Sequence, residues 1–433
     1  MTEEQKKVYE GLMSFYETHK QGKFVPAELL EHMEPIFEAL GLRKDTVPGD
    51  RQHILVARDD ATGDFVLFSP FMRELRRIYP KAHITLYASE RNEEMARCCP
   101  YIDNLIVKDL ETESSEIWEV YPFLVRQAVE HFLPYHFDLG FAGRLGIRPA
   151  SILTMYMGGV RRRISYTQIR SDDQGQKIDW GWNALLTIPV PLMPIMQSDV
   201  DRDLYLLEYL LQLPVVDRHL ELWTLASDRA AAEQALAPFL AKKQVKRLYT
   251  VMPCTSQKFR EWPVERFIEM LKVIMKREKD VGLVLMGSRG DATRTEAIAK
   301  VFPGRAISLA GKLPFRVSAE VVGLTEKYIG DDTALMHIAA AKHVPVLTTF
   351  PYPAELTLQF LSVPIRFQPY RVPAVIVLPA KAAGPRCRIR PGTGCAEDEP
   401  HCILNITVEK MLEGYKYLNK CIEERRMAAM VLK

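Results

Sequence analysis

Twice along this chain, short apolar runs of strand length alternate with amphipathic stretches of helix length. The first series begins with "HILVAR" after residue 52 and passes through "FVLFSPFMRELRRIYP", "HITLYA", "NEEMARCC" and "NLIVKD". The second begins with "RLYTVMP" and passes through "PVERFIEMLKVIMKRE", "GLVLMG", "DATRTEAIAKVF", "AISLAG" and "FRVSAEVVGLT" to "YIGDDTALMHIAAAKHVPVLTTF". Strand–helix alternation of this kind builds βαβ units, and hence a parallel sheet with helices on both faces. The pattern predicts two doubly wound α/β halves. "FDLGFA" offers a further strand to the first half, "ASILTMYMGGV" a helix ending at a glycine pair, and "DRDLYLLEYLLQL" a long apolar-striped helix.

A length of 433 residues fits two or three domains. The expected boundaries are a helical extension over 1–45, an N-terminal half over 46–215, a C-terminal half over 216–410 and a C-terminal helix over 411–433. The extension reads as two amphipathic helices, "EEQKKVYEGLMSFYETHK" and "PAELLEHMEPIFEALG", packing on the body or on a second subunit. With 57 Lys and Arg against 55 Asp and Glu, the charge balance suggests no nucleic-acid partner. No apolar run approaches the ~20 residues of a membrane span, and "MTEEQKKVYEGL" lacks the apolar core of a signal peptide. A cytoplasmic location is the expectation, and seven cysteines fit a reducing compartment.

Three segments carry chemistry. In "YIGDDTALMHIAAA" a strand meets a helix expected to begin near Asp332 or Thr333. Ligands of open parallel sheets bind beyond the carboxyl ends of strands, where helix N-termini favour anions such as phosphate. Thr333 and His337 share one face of the first turn, able to hold a diphosphate and donate to it as it leaves. An N-cap at Asp332 and a structural His337 fit the same residues. In "ARDDATGDFVLFSP", Gly63 reads as a turn and Asp64 as a carboxylate at a helix start, either a general base or a cap. Asp59 and Asp60 read as solvated loop acids. In "MPCTSQKFREWPVERF", Thr255, Ser256, Lys258 and Arg260 at the end of a strand form a phosphate clamp or a solvated basic loop, with Pro263 at the next helix start.

These segments, in this order, resemble glycosyltransferase family 9, the ADP-heptose:lipopolysaccharide heptosyltransferases, over about residues 52 to 410. "PYIDNLIV", "GGVRRRISYT", "DVDRDLYLLEYL" and "SLAGK" extend the resemblance. It implies a GT-B fold, two Rossmann-like doubly wound domains facing a cleft, with the helical extension outside the match. It also implies that Asp64 deprotonates the acceptor hydroxyl and that Thr255, Ser256 and Arg260 bind donor phosphate, with Lys258 a substitute cation. Asp332, Thr333, Ala334 and His337 match the motif that holds the diphosphate and sugar, and Asp331 is left out. Asp291 aligns with a ribose-binding acid, and Leu313 with a residue against the base. Three features depart from the family pattern: Ala334 replaces a frequent glycine, Cys254 a smaller residue, and "PYPAELTLQF" lacks the usual loop.

The implied activity is inverting, metal-independent glycosyl transfer from a nucleotide sugar, ADP-heptose first among candidates, to a glycolipid or glycoprotein acceptor such as a lipopolysaccharide core. No cofactor beyond that substrate is implied. Two other readings compete: a GT-B-fold nucleotide-sugar epimerase, against which the Gly-Asp loop argues, and a non-catalytic relative acting as a binding protein. The basic run Arg161–Arg163 fits peripheral contact with the inner membrane or a solvated loop, and the extension offers an oligomer contact. Cys387, Cys395, Cys402 and Cys421 are separated by seven, six and eighteen residues, without the close pairs of structural zinc sites. Autotransporter heptosyltransferases, a group within the family, hold an iron on four C-terminal cysteines. That resemblance makes these four metal candidates, and unliganded thiols are the other reading.

Overall fold

The computed structural model describes residues 1–44, 52–108, 116–143, 150–167, 169–171, 177–179, 181–191, 198–353, 363–380 and 401–431. The chain divides into two compact units, Met1–Met196 with Val200–Arg218, and Gln197–Asp199 with His219–Lys433.

The first unit opens with α1 (Glu3–His19) and α2 (Pro26–Ala39). There follow β1 (His53–Arg58), α3 (Thr62–Leu67), α4 (Ser69–Ile78), β2 (His83–Ser89), α5 (Glu93–Ala96), β3 (Asn104–Lys108) and α6 (Ile117–Gln127). After these come β4 (Leu139–Ala142), α7 (Ala150–Met157), β5 (Arg162–Tyr166), the antiparallel pair β6 (Ile169–Ser171) and β7 (Lys177–Asp179), β8 (Ile188–Val190) and α8 (Asp199–Leu211). Six strands form one parallel sheet in the order β3-β2-β1-β4-β5-β8. Chain order reverses between β1 and β4, the feature of a Rossmann-type sheet that opens a ligand crevice at its carboxyl edge.

The extension packs on the body. Thr2 and Gln5 close a capping box at the start of α1. Val8, Leu12 and Phe15 of α1 and Leu29, Met33 and Phe37 of α2 share one core with Tyr121 and Leu124 of α6. Trp118 fastens the contact by donating its indole N–H to the Gly22 carbonyl at 2.7 Å.

Local chemistry accounts for several departures from the sequence expectation. The helix expected over "FVLFSPFMRELRRIYP" is two helices, because Pro70 has no N–H to give the Val66 carbonyl, which takes the Ser69 hydroxyl instead at 2.8 Å. Gly63 lies inside α3 and makes no turn. Proline-bearing α6 and β8 escaped the sequence reading. β8 stands at the sheet edge, where Pro189 is tolerated. The basic run is also not a surface patch. Arg161 pairs with Asp138 at 2.5 Å, and Arg163 is buried, donating to the Leu185 and Val160 carbonyls at 2.6 Å each. Only Arg162 of the three is exposed.

The second unit contains α9 (Ala226–Leu240), β9 (Arg247–Met252), α10 (Val264–Arg277), β10 (Val281–Leu285), α11 (Ala292–Val301), β11 (Ala306–Ser308) and α12 (Phe315–Gly323). It continues with β12 (Lys327–Asp331), α13 (Ala334–Ala341), β13 (Val346–Thr349), α14 (Val363–Arg366), β14 (Ala374–Val377) and α15 (Val408–Val431). Its sheet repeats the first in order, β11-β10-β9-β12-β13-β14, and is parallel throughout. The C-terminal helix belongs to this core: Met411, Tyr415 and Leu418 of α15 share a cluster with Trp262, Phe267 and Leu271. Among the described residues no helix is long and apolar enough to cross a membrane.

Candidate active site

In the second sheet the order reverses between β9 and β12, so the loops after these strands flank the crevice position. The two strands approach closely because β12 carries Gly330, where a Cβ would stand 2.5 Å from the Met252 carbonyl oxygen. The adjoining Asp331 is fully buried and acts as a fastener. It accepts the Trp262 amide at 3.2 Å and the Thr349 hydroxyl at 2.6 Å, tying β12 to β13 and to the start of α10. Burial drives its pKa well above the usual carboxylate range, and those two hydrogen bonds offset only part of the shift.

Asp332 turns the other way and pairs with Arg260, Oδ2 to Nη1 at 3.0 Å, so the loops after β9 and β12 meet there. Thr333, rather than Asp332, is the N-cap of α13. Its hydroxyl bonds the Tyr328 hydroxyl at 3.0 Å and makes no capping bond to the helix. Ala334 is the first helical residue. The first-turn amides of any helix lack intrahelical acceptors, and the helix dipole adds positive potential at that end. One turn in, His337 is 3 % exposed, and its Nδ1 has no hydrogen-bond partner among the described residues. Burial lowers its pKa to about 4, against weaker opposing pulls from Asp332 and Asp199. It is therefore neutral at pH 7, a hydrogen-bonding imidazole and not a cation.

The remaining expected donor residues follow three different strands, β9, β10 and β11. The Thr255 hydroxyl is engaged in its own turn, donating to the Gln257 carbonyl at 2.6 Å, while Ser256 and Lys258 are exposed on the same loop. Asp291 sits on the neighbouring loop with both oxygens occupied. Oδ2 accepts from the Ser288 amide and hydroxyl at 2.8 and 2.6 Å, and Oδ1 accepts from Arg294 at 2.5 Å. Burial would raise its pKa, and these bonds outweigh that and hold it below the usual value. Arg294 also reaches Glu261 at 2.5 Å, joining the first turn of α11 to the loop after β9. Half-buried Leu313 follows Gly311, which has φ +65° and passes so near Arg289 that a Cβ would lie 2.4 Å from its Cα. Cys254 is buried, and its thiol is pushed up to about 12 by that burial, so it is an unreactive packing residue.

Sequence reasoning missed Glu261, Trp262, Tyr328 and Arg294. The three-residue spacing of Asp291 and Arg294 on a helix was a usable signal. The others act through tertiary contacts that no local pattern announces.

In the first unit, Asp64 is half-buried in the first turn of α3, and its carbonyl accepts from Arg58 Nη2 at 3.1 Å. Asp59 and Asp60 are not solvated. Asp59 takes Lys108 Nζ at 2.6 Å and the Ser151 hydroxyl at 3.0 Å. Asp60 is 4 % exposed and lies 3.1 Å from Arg58 Nε. Of the late cysteines, Cys402 is buried with Sγ 3.0 Å from His401 Nδ1, and Cys421 lies half-buried on α15. Cys387 and Cys395 lie outside the described residues, and among the described residues no group of three metal-ligating side chains forms.

Two Rossmann-type parallel sheets of identical strand order, the second with an arginine and an open helix N-terminus at its reversal point, make this a GT-B-like protein. Residues 181–385 match the sequence model of Glycosyltransferase family 9 (heptosyltransferase). Among solved structures, the glycosyl transferase family 9 protein from Veillonella parvula DSM 2008 superposes with a TM-score of 0.64 at 18 % identity, covering 86 % of this chain and 98 % of its own. The E. coli ADP-heptose LPS heptosyltransferase II gives 0.60 at 16 % identity, covering 86 % and 100 %. An E. coli heptosyltransferase with ADP gives 0.51 at 15 % identity, covering 70 % and 88 %. At these identities the likeness speaks for the fold. No curated protein matches the chain.

Proposed function

We propose that this protein is an inverting glycosyltransferase that moves a sugar, heptose from ADP-heptose, to a hydroxyl of a lipopolysaccharide core or related glycoconjugate. The observation that carries the reading is the donor-side cluster. The Arg260–Asp332 pair lies beside the N-terminus of α13, with a buried His337 whose Nδ1 lacks a partner, at the reversal point of the second sheet. Arginine, helix amides and a neutral imidazole are the donors that a departing nucleoside diphosphate needs as its charge grows. Their action requires no metal.

In this scheme Asp64 removes the proton of the acceptor hydroxyl as that oxygen attacks the anomeric carbon. The C1–phosphate bond breaks and the electron pair leaves with the nucleoside diphosphate, inverting the anomeric centre. Thr333 and Ala334 present backbone N–H groups to the diphosphate, and Arg260 supplies the fixed positive charge. Thr255, Ser256 and Lys258 line the approach to it, and Leu313 stands on the side of the base. Asp291, spent on Ser288 and Arg294, shapes its loop and reaches a ribose only by exchanging a partner. The reaction belongs at the cytoplasmic face of the membrane, where a glycolipid acceptor is presented.

The test is Asp64→Asn. Transfer should fall by at least about a thousandfold, the scale of losing a general base together with its charge, while ADP affinity by calorimetry stays within twofold. Full transfer activity in that variant would remove Asp64 from the mechanism.

A further inference from the structure

We infer that Arg58 is a positioning residue for Asp64, setting where the base carboxylate stands. The inference rests on the proposed role of Asp64 and adds a residue to it. Arg58 ends β1 at the reversal point of the first sheet and is 3 % exposed. A guanidinium so buried must be paired, and its planar fork lets one side chain serve several acceptors at fixed angles. Nη1 donates to Asp203 Oδ1 of α8 at 2.8 Å, and Nε lies 3.1 Å from Asp60 Oδ2. Nη2 donates at 3.1 Å to the carbonyl of Asp64 itself, and the guanidinium carbon lies 4.6 Å from the centre of the Phe68 ring, just past the end of α3.

The helix that carries Asp64 has only six residues, too few to be stable alone. Its orientation therefore comes from what it touches, and Arg58 touches both of its ends. The loop leading into it is held as firmly. The Asp60 carbonyl accepts from Asn92 Nδ2 at 2.9 Å and from the Ser89 hydroxyl at 3.2 Å. Gly143, just past β4, packs directly on the ion pair: a Cβ there would lie 2.9 Å from Asp203 Oδ1 and 3.1 Å from Arg58 Nη1. The strand end, the entry loop, α3 and α8 are thus indexed to one guanidinium. A lysine keeps the charge but offers one nitrogen, which cannot span Asp203 and the Asp64 carbonyl together.

The experiment compares the full-length protein with Arg58→Lys, Arg58→Met and Asp64→Asn. The readouts are kcat and donor KM with the sugar nucleotide that turns over, calorimetric affinity for ADP, thermal stability, and amide exchange over residues 61–68. Arg58→Lys is expected to lower kcat by about 10- to 100-fold, the scale of displacing a catalytic group by up to an ångström. Donor KM and ADP affinity should stay within twofold, and faster exchange should be confined to residues 61–68. A kcat within twofold of the parent overturns the inference. So does a loss of kcat accompanied by loss of ADP affinity and of thermal stability, which marks a structural role. Arg58→Met removes the charge as well and should fall further; if it does not fold, the lysine variant decides. A lysine variant that cannot fold also overturns the inference. Failure of the underlying reading is separately visible as full transfer by Asp64→Asn, and the exchange data still report whether Arg58 holds α3.

Discussion

Burial, more than charge, decides what His337 can do. An exposed histidine titrates near 6.5, and His337 is held at about 4 by desolvation. Below pH 6.5 the unfolded chain takes up a proton that the folded chain refuses, so stability falls as pH drops from 6.5 towards 4. The full effect is on the order of 3 kcal/mol, at roughly 1.4 kcal/mol per pH unit. His337→Gln should flatten the dependence of melting temperature on pH across that window, and an unchanged slope would show that His337 is not the group responsible. The residue scale is also where sequence and structure part most clearly. Asp332 and His337 were legible from their place between two apolar runs. The division of labour between Asp331 and Asp332 needed the resemblance, and its cause, Trp262 and Thr349 on one side and Arg260 on the other, lies some 18 to 72 residues away.

Elements were legible where their apolar pattern was continuous and lost where proline or alanine interrupted it. The strands from β1 to β4 and from β9 to β13 announced themselves as short apolar runs, and β5, "RRISY", did not. Pro122 concealed α6, Pro189 concealed β8, and the alanine-rich α9 has no clear apolar stripe. At this scale the donor-side loops depend on backbone geometry. Gly311→Ala would force a φ of +65° on a residue with a Cβ and press that carbon onto the Arg289 backbone. It should cost about 1–3 kcal/mol and weaken ADP binding about tenfold or more, measured by denaturant melts and calorimetry. Parent-like binding would mean the loop around Leu313 takes no part in holding the nucleotide.

At the scale of the whole molecule, each unit carries an addition to the Rossmann plan that has become part of its core. Val8, Leu12, Phe15, Leu29, Met33 and Phe37 are buried within the first unit, each worth about 1.5–3 kcal/mol. That sum equals or exceeds the roughly 5–15 kcal/mol stability of an ordinary domain. Removing residues 1–44 should therefore abolish the cooperative melting of the first unit. A truncated chain that melts like the parent would make the extension an accessory. The proposed role of the second unit is to hold the nucleoside diphosphate of a sugar donor. Its most direct test is turnover by the full-length protein across ADP-, GDP- and UDP-sugars, read as release of the nucleoside diphosphate with a lipopolysaccharide core acceptor. Turnover with ADP-heptose and stabilisation by ADP are the expected results. Turnover and stabilisation confined to UDP-sugars would contradict the heptose assignment, and no response to any of them would contradict the donor site itself.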